Sequence, residues 1–345
     1  MKRSQVYPFT AIVGQENMKE ALILNTINPT IGGVLIRGEK GTAKSTAVRA
    51  LADLLPERHV VEGCFCGCEW GNIGSMCPAC KENMESSELK EAVVPMKVVE
   101  LPLSSTEDRV AGTLDIEHAI STGKKKFEAG VLAKANGNIL YVDEVNLLDD
   151  HLVDLLLDAA AMGVNFIERE GVSYSHPSKF ILIGTMNPEE GDLRPQLLDR
   201  FGLMVDVEAE RDENLRMAVV QRRMEFEKDP EGFRDDYSKQ QQELRDKIVK
   251  ARSIVGGIVP DADVIRAAVR IPLHLQVDGH RADITLIKAA AAYAAMNDRN
   301  NVTSQDVLHV TKLVLPHRMR RNPFQDSSLN FEELDAWLRS TFKNQ

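Results

Sequence analysis

Eight residues, from Gly38 to Ser45, constrain the fold of this chain more than any other segment. They read Gly-Glu-Lys-Gly-Thr-Ala-Lys-Ser and lie between an apolar run, Val34–Arg37, and a helical pattern, Lys44–Leu55. A glycine-rich turn that joins a strand to a helix presents backbone N–H groups and the positive end of the helix dipole to a phosphate group. The segment therefore predicts a P-loop in a sheet with helices on its faces.

The roles expected within this loop follow from the chemistry of MgATP. Lys44 would reach the β and γ phosphates, and the Ser45 hydroxyl would bind Mg²⁺. Ala43 stands where a second glycine is usual, and we expect alanine to tolerate the helical φ of that position with a small effect. A glycine-rich turn without a ligand is the alternative, and the flanking strand and helix argue against it. The backbone groups that would surround the phosphates belong to Gly38, Glu39, Lys40, Gly41, Thr42 and Ala43.

Two adjacent carboxylates supply the second half of the expected nucleotide site. The run Ile139–Val142 predicts a buried strand, and Asp143 and Glu144 follow it directly. Ligands of open α/β sheets bind at the carboxyl ends of the strands, which is where this pair would lie. We expect Asp143 to hold the Mg²⁺ shell and Glu144 to polarise the water that attacks the γ-phosphate.

The composition is that of an ordinary folded protein of about two domains. The chain has 345 residues, 43% of them hydrophobic and 27% charged, and a formal net charge of −10. An acidic surface repels phosphate backbones, which argues against nucleic-acid binding. The longest apolar run, Ala289–Met296, is far shorter than the ~20 residues that cross a bilayer, and no apolar segment follows Lys2 and Arg3. We therefore expect a cytoplasmic protein without a membrane span.

Hydrophobic patterning divides the chain into two domains. Short β-branched runs alternate with helical patterns up to Val207, which predicts an α/β domain with a parallel sheet over residues 1–208. Only helical patterns follow, so residues 209–345 are expected to form an all-helical domain, with a capping box at Thr303 and Asp306. The predicted strands are Val34–Arg37, Met96–Leu101, Ile139–Val142, Phe180–Thr185 and Met204–Val207. The predicted helices are Lys44–Leu55, Asp149–Met162, Glu213–Lys228, Gln241–Val255, Asp261–Val277, Asp283–Asn297 and Val307–His317.

Two insertions are expected within the α/β domain. One is a hairpin over residues 165–176, made of Asn165–Arg169 and Val172–His176 with Glu170 and Gly171 at its turn. The other, over residues 63–91, contains every cysteine of the chain. A CxC donor followed by a CxxC pair is compatible with four thiolates around Zn²⁺ or with an Fe–S cluster, and uncommitted thiols are the remaining alternative. The five cysteines are Cys64, Cys66, Cys68, Cys77 and Cys80.

The phosphate loop and the carboxylate pair resemble Walker A and Walker B of a AAA+ ATPase, a P-loop fold with a helical lid. That resemblance implies further site residues. Asn187 matches the sensor 1 position, where a polar side chain helps orient the attacking water. Arg200, in Leu-Leu-Asp-Arg-Phe, matches the arginine finger that acts on ATP held by the neighbouring subunit. Arg281 matches sensor 2 of the lid, and the role of Arg194 stays open.

Four longer runs closely resemble the I subunit of magnesium chelatase, over nearly the whole chain. The resemblance implies a ring, expected to be a hexamer, whose ATP hydrolysis drives Mg²⁺ insertion into protoporphyrin IX by a separate large subunit. It also implies a second AAA+ subunit with an integrin-like module. Residues 112–130 would be the family's helix-2 insert, and the hairpin 165–176 its pre-sensor hairpin. The four runs are Phe9–Glu16, Thr106–Asp115, Leu140–Leu157 and Asn187–Gly202.

Two alternatives stay open at this point. The cysteine-rich insertion differs from the photosynthetic members, which allows a cobaltochelatase of corrinoid synthesis. The other alternative is a AAA+ remodelling factor or DNA translocase, for which Lys124–Lys126 and Arg318–Arg321 are candidate contacts. Short basic runs are usually solvated faces, and the eight histidines are scattered, so metal insertion is expected to occur on another protein.

Overall fold

The computed structural model describes residues 6–86, 89–115, 126–169, 172–319, 333–334, 336–338 and 340. Contacts divide the chain into two units, each discontinuous in sequence. The first comprises Met1–Gln15, Ile36–Leu193 and Val207–Arg245. The second comprises Glu16–Leu35, Arg194–Asp206 and Asp246–Gln345. The domain boundary expected at residue 208 stays a prediction.

Strands and helices alternate up to residue 207, and the described residues after that are helical. The strands are β1 (Val34–Gly38), β2 (Arg58–Val61), β3 (Glu91–Val94), β4 (Val98–Glu100), β5 (Gly112–Asp115), β6 (Lys126–Ala129), β7 (Ile139–Val142), β8 (Val164–Arg169), β9 (Val172–Pro177), β10 (Ile181–Met186) and β11 (Leu203–Val207). The helices are α1 (Glu16–Ile27), α2 (Lys44–Leu54), α3 (Pro78–Ser86), α4 (Glu107–Ala111), α5 (Val131–Ala135), α6 (Asp150–Met162), α7 (Pro195–Leu198), α8 (Glu213–Lys228), α9 (Pro230–Ile254), α10 (Ala262–His274), α11 (Arg281–Met296) and α12 (Ser304–Val314).

The central sheet has five strands in the order β11-β1-β10-β7-β4. Both β10 and β4 pair with β7 in parallel, and Ile181 and Val98 lie on either side of Ile139. All residues of β7 and β10 are buried, as expected for parallel strands that are covered on both faces. The predicted α/β class and its five strands are confirmed, with ends that differ by at most two residues.

Three antiparallel strand pairs form separate two-stranded sheets: β2 with β3, β5 with β6, and β8 with β9. The predicted hairpin β8–β9 is confirmed, and its turn residues, Glu170 and Gly171, lie outside the described residues. The strands β2 and β3 were not predicted, and they bring the two ends of the cysteine-rich insertion together. Of the expected helix-2 insert, β5 and β6 are described and residues 116–125 are not.

The predicted helices are confirmed with one correction. The helix α9 begins at Pro230 rather than at Gln241, because proline fits the first turn of a helix and Phe233 packs against Tyr7 within the first unit. In the second unit, α10, α11 and α12 bury a row of small and branched side chains, and Leu286 and Val310 are fully enclosed. The predicted capping box at Thr303 and Asp306 is confirmed. Of the helices in the described part of the chain, none combines the length and apolarity needed to cross a bilayer.

Candidate functional site

The phosphate loop leaves β1 at Gly38 and enters α2 at Lys44. A β-carbon on Gly38 would lie 2.2 Å from the carbonyl oxygen of Val207, so only glycine fits at this position. Gly41 has φ +85°, a conformation that glycine adopts at little cost. The loop predicted from the sequence is therefore present between the strand and the helix that were expected to flank it.

Ala43 departs from the sequence expectation. It lies at φ 60° and ψ 18°, in the left-handed region, and not at the helical φ that we expected an alanine to tolerate. That expectation was wrong because the residue just before α2 has a left-handed backbone conformation, whereas α2 itself is right-handed. A β-carbon in this region crowds the following carbonyl oxygen at a cost of roughly 1–2 kcal/mol. The loop thus stores backbone strain at the position where a second glycine is usual.

Lys44 folds its side chain back over the loop. Its ammonium group donates hydrogen bonds to the carbonyl oxygens of Gly38 and Glu39, the latter at 3.0 Å. Partial burial lowers the pKa of Lys44, although the nearby carboxylates of Asp143 and Glu144 oppose this shift. Ser45 lies half-buried in the first turn of α2, directly after this lysine. The loop thus concentrates one ammonium group, one hydroxyl and the free N–H groups of a helix start.

The carboxylate pair is held at the end of β7 by a residue of the neighbouring strand. The Thr185 hydroxyl donates to Oδ1 of Asp143 at 2.5 Å and accepts from the backbone N–H of Glu144 at 3.2 Å. The Tyr141 hydroxyl donates to the same Asp143 oxygen at 2.8 Å. Glu144 has φ +55°, so the chain turns sharply between the two acids. Sequence reasoning missed Thr185, although its place at the end of a predicted strand could have suggested it.

A second ion-pair group joins the loop to this edge of the sheet. The ammonium group of Lys40 lies 2.5 Å from Oε1 of Glu190 and 3.5 Å from Oε1 of Glu144. Its hydrogen bond to Glu190 raises the pKa of Lys40 and lowers that of Glu190. Asn187 is buried next to Glu190 and accepts a hydrogen bond from the N–H of Glu189 at 3.2 Å. The first unit therefore brings Lys40, Glu144 and Asn187 to one edge, as expected for them, and adds Glu190, which was not expected.

A cavity of about 300 Å³ lies beside the phosphate loop, within the first unit. This volume is at the lower end for small-molecule sites. Its walls are mostly apolar, with Ile12, Val13 and Val219 among them, and Thr46 of α2 reaches it. Gln15 fixes one wall by donating to the carbonyl oxygen of Glu208 at 2.7 Å. Sequence reasoning did not assign this pocket, because its residues are far apart in the chain and carry no shared motif.

The arginines expected to complete the site belong to the second unit. Arg281, at the start of α11, forms a 2.5 Å ion pair with Asp199, the residue that precedes Arg200. Arg194 precedes Pro195 at the start of α7. The roles of these arginines stay predictions.

Arg318 corrects another expectation. It was considered as a DNA contact or a solvated residue, but it is 9% exposed and its guanidinium group is used internally. It donates to the carbonyl oxygens of Phe201 at 2.6 Å, Asp199 at 3.0 Å and Gly202 at 3.1 Å. Burial lowers the pKa of Arg318 to about 10. This arginine therefore holds the segment around Arg200, while Arg320 and Arg321 lie outside the described residues.

The cysteines of the insertion form a compact group. The sulfur atoms of Cys64, Cys68, Cys77 and Cys80 all lie within 4.8 Å of one another, and none of the five cysteines forms a disulfide. Hydrogen bonds from Cys66 and Cys68 hold the pKa of Cys64 well below its usual range. Burial raises the pKa of Cys80. Four sulfur atoms at this density fit a thiophilic metal ion.

Comparisons with known proteins agree with this architecture. The description "AAA domain (dynein-related subfamily)" matches residues 82–201, and "AAA lid domain" matches residues 265–336. A Methanocaldococcus jannaschii protein named magnesium-chelatase subunit ChlI homolog is 57% identical, over 99% of this chain and 92% of that protein. The chloroplastic magnesium-chelatase subunit ChlI of Glycine max is 50% identical, over 95% of this chain and 79% of its own length.

Two solved structures extend the comparison. One, a cryo-EM complex between subunits BchI and BchD of magnesium chelatase, contains a chain that is 44% identical. The match covers 96% of this chain and 99% of that one, with a TM-score of 0.56. The other, from Cytophaga hutchinsonii, is 16% identical with a TM-score of 0.61 over 96% of this chain and 90% of its own, and it shows the shared fold alone.

Proposed function

Because the chain belongs to the family of magnesium-chelatase subunit ChlI, we propose that it is the ATPase subunit of a magnesium-chelatase complex. It hydrolyses MgATP, and this hydrolysis drives insertion of Mg²⁺ into protoporphyrin IX by a separate large subunit. The observation that carries the proposal is the edge of the first unit where the loop Gly38–Ser45 meets Asp143 and Glu144. Phosphate-binding N–H groups, an ammonium group and two oriented carboxylates are what phosphoryl transfer to water requires.

Each group at this edge has a distinct task. The N–H groups of the loop and the ammonium group of Lys44 bind the phosphates, and Ser45 and Asp143 hold the Mg²⁺ that accompanies ATP. That ion neutralises the charge that develops on the phosphate oxygens. Glu144 accepts the proton of the attacking water, and Asn187 orients that water. Thr185 acts on neither directly, and its hydrogen bonds keep the carboxylate of Asp143 in position.

The cavity beside the loop is proposed to hold the nucleoside. Its apolar walls suit a flat heteroaromatic base, and it adjoins the loop residues Gly41, Thr42 and Ala43 that would contact the phosphates. Base and phosphates would then bind to one continuous surface of the first unit.

The arginines and the partners belong to an assembly. We assign Arg200 as the finger that acts on ATP of a neighbouring subunit in a ring, expected to be a hexamer, and Arg281 as sensor 2. Head-to-tail contacts between identical subunits close such rings and place one subunit's residue in the site of the next. The cryo-EM complex of BchI with BchD supports a partnership with another chelatase subunit. We assign that partner as the integrin-like AAA+ subunit, acting beside a large tetrapyrrole-binding subunit.

The alternative functions are not favoured. The relatives compared above carry the magnesium-chelatase name, so neither a cobaltochelatase nor a remodelling factor is needed to explain the sequence. The burial of Arg318 removes one of the basic residues on which a DNA translocase would depend. We also propose that the cysteines hold a resident Zn²⁺ ion or Fe–S cluster. A cytoplasmic location is proposed as well.

The variant Glu144→Gln tests this function, with Glu243→Gln, an exposed carboxylate on α9, as the matched control. Glu144→Gln should bind ATP with near-normal affinity and lose turnover by at least about a hundredfold, in line with the loss of a general base. Used as bait in native lysate with ATP, it should recover a very large chelatase subunit. Normal hydrolysis by this variant would overturn the base assignment, and recovery of unrelated client proteins alone would overturn the chelatase role.

A further inference from the structure

Four of the five thiols have the spacing that a single tetrahedral metal ion requires. A Zn–S bond of about 2.3 Å places the four sulfur ligands about 3.8 Å apart along each edge of the tetrahedron. The sulfur atoms of Cys64 and Cys77 are 3.8 Å apart, and those of Cys64, Cys68, Cys77 and Cys80 all lie within 4.8 Å of one another. The thiols therefore surround a volume that fits one ion.

This spacing also separates Zn²⁺ from the other candidates. The thiolates of a four-iron cluster bind four different iron atoms, so they are held further apart than ligands that share one ion. A disulfide needs sulfur atoms about 2 Å apart, which is much closer than the 3.8 Å between Cys64 and Cys77. One ion of tetrahedral preference explains the arrangement best.

The backbone around the cysteines is arranged for thiolate ligands. The N–H of Cys77 donates to the sulfur of Cys68 at 3.2 Å, an interaction that stabilises a charged sulfur. Pro78 starts α3 immediately after Cys77, so the first turn of this helix carries Cys80 towards the same point. The N–H of Gly67 donates to the carbonyl oxygen of Cys64 at 3.0 Å, closing the turn between the first two ligands.

The insertion has too little apolar content to fold by burial alone. Four of the seven buried members of its core are cysteines, and aliphatic side chains are few. Several of its larger hydrophobic residues are exposed instead, including Phe65 at 39% and Ile73 at 54%. A segment this short that lacks a sufficient core is usually stabilised by a metal ion or by disulfides.

We propose that Cys64, Cys68, Cys77 and Cys80 bind one Zn²⁺ ion as a tetrathiolate site, and that this ion fixes the insertion as a support for the β5–β6 and β8–β9 hairpins. Cys66 lies outside the ligand set. It is 1% exposed, its backbone carbonyl oxygen accepts from Nδ2 of Asn136 at 2.9 Å, and its thiol packs in the core beside the site. The proposal does not rest on ATP hydrolysis.

The link to the hairpins runs through a group of aromatic rings. Phe65 of the insertion lies 5.7 Å, between ring centroids, from Phe127 of β6. Phe127 stacks on Tyr174 of β9 at 4.5 Å and lies 5.2 Å from the ring of His176. Phe127 and Ala129 also pack against the cysteine core itself. A fixed insertion thus gives β6 a rigid surface to pack against, and Phe127 carries that support on to β9.

Metal analysis of the full-length chain tests the site. Protein purified without chelators and without oxygen should contain about one Zn²⁺ per chain and no stoichiometric iron. Cys77→Ser and Cys80→Ser should each lower zinc content at least about tenfold, whereas Cys66→Ser, the matched control, should retain it. Metal-free wild-type protein, iron in place of zinc, or equal loss from Cys66→Ser would overturn the proposal.

Hydrogen exchange then tests the supporting role on wild-type protein, so no variant has to fold. Removal of zinc by a chelator should raise amide exchange in residues 63–86 and 126–129, and leave α10, α11 and α12 unchanged. Loss of zinc without any change at β6 would overturn the link to the hairpins. Both measurements are made without nucleotide, so they separate failure of the metal site from failure of the ATPase proposal.

Discussion

At the scale of single residues, the strain at Ala43 gives the first prediction. Its φ of 60° favours glycine, and Ala43→Gly should relieve the crowding of the β-carbon while adding freedom to the unfolded chain. These effects oppose each other, and we expect a net gain of about 1 kcal/mol in the free energy of unfolding, measured by urea denaturation. Ala47→Gly, at a regular position of α2, is the control and should destabilise by about 1 kcal/mol. A loss of stability in Ala43→Gly would contradict the strain argument.

Thr185 gives a second prediction at this scale. Thr185→Val keeps the shape of the side chain but removes the hydrogen bonds to Asp143 and from Glu144. Because hydrogen bonds to charged groups contribute about 1.5–3 kcal/mol, we expect kcat for ATP to fall by roughly tenfold to a hundredfold. The KM for ATP should change little, since the loop binds the phosphates. Thr185→Ser keeps the hydroxyl and should restore most of the activity; equal loss in both variants would argue against a positioning role.

Sequence reasoning at this scale could locate candidate site residues only where they belong to a contiguous pattern. The residues of the loop Gly38–Ser45 follow one another in the chain, and so do Asp143 and Glu144. Each group could therefore be recognised from its local sequence pattern. Thr185 comes close to Asp143 and Glu144 only because β10 pairs with β7. Glu190 follows β10 in the chain and reaches the loop by its ion pair with Lys40. No local pattern marks such partners, because their contacts depend on the tertiary fold.

At the scale of elements, Arg318 joins the residues after α12 to the turn between α7 and β11. Arg318→Ala would leave the carbonyl oxygens of Phe201, Asp199 and Gly202 without this donor in a buried place. We expect a loss of about 3 kcal/mol or more in the free energy of unfolding, measured by urea denaturation. Arg211→Ala, which removes an exposed 3.2 Å pair with Glu208, is the control and should cost less than about 1 kcal/mol. Equal effects would contradict the structural role of Arg318.

The cap of α12 gives a pH-dependent prediction. Burial alone would raise the pKa of Asp306, but hydrogen bonds from Arg299 and Thr303 outweigh it and lower the pKa. A carboxyl group whose pKa is lower in the folded state stabilises the fold above its unfolded pKa of about 3.9. That contribution is lost as the pH falls through the folded value.

Unfolding free energies measured between pH 6 and pH 3 test the contribution of Asp306 to stability. The wild type should lose stability as the pH falls below about 4, as linkage requires for Asp306. The variant Arg299→Leu lacks the guanidinium group whose hydrogen bond offsets the rise that burial causes in the pKa of Asp306. This variant should be less stable at neutral pH and should lose less stability in acid. An identical acid slope in both proteins would contradict the assignment.

Two departures from the sequence prediction have physical causes. The strands β2 and β3 are only partly buried and are stabilised by pairing with each other, so they show no clear hydrophobic period. The first part of α9 carries Pro230 and Gly232, which indicate a turn when the chain is considered locally. Its packing through Phe233 against Tyr7 overrides that local preference. Long amphipathic helices and buried parallel strands were predicted because their burial is visible in the sequence.

At the scale of the whole molecule, the proposed trans-acting arginine makes activity depend on assembly. Arg200→Ala should bind nucleotide with unchanged affinity and lose assembly-dependent ATP hydrolysis by about a thousandfold or more, as for other arginine fingers. The measurement is turnover per subunit across a range of protein concentrations. Mixing this variant with Glu144→Gln should restore part of the activity, since each supplies what the other lacks. Wild-type turnover by Arg200→Ala in the assembled state would contradict the assignment.

The pairing of β2 with β3 has a consequence for how this chain can change over time. Val61 lies opposite Glu91, so the cysteine-rich segment leaves the fold and returns to it at nearly the same point. The whole segment can therefore be inserted or deleted during evolution in one step, because β2 and β3 need not move for their ends to be joined. An engineer could exploit the same geometry by joining β2 to β3 through a two-residue turn. The resulting minimal chain would carry the nucleotide site without the cysteine-rich segment.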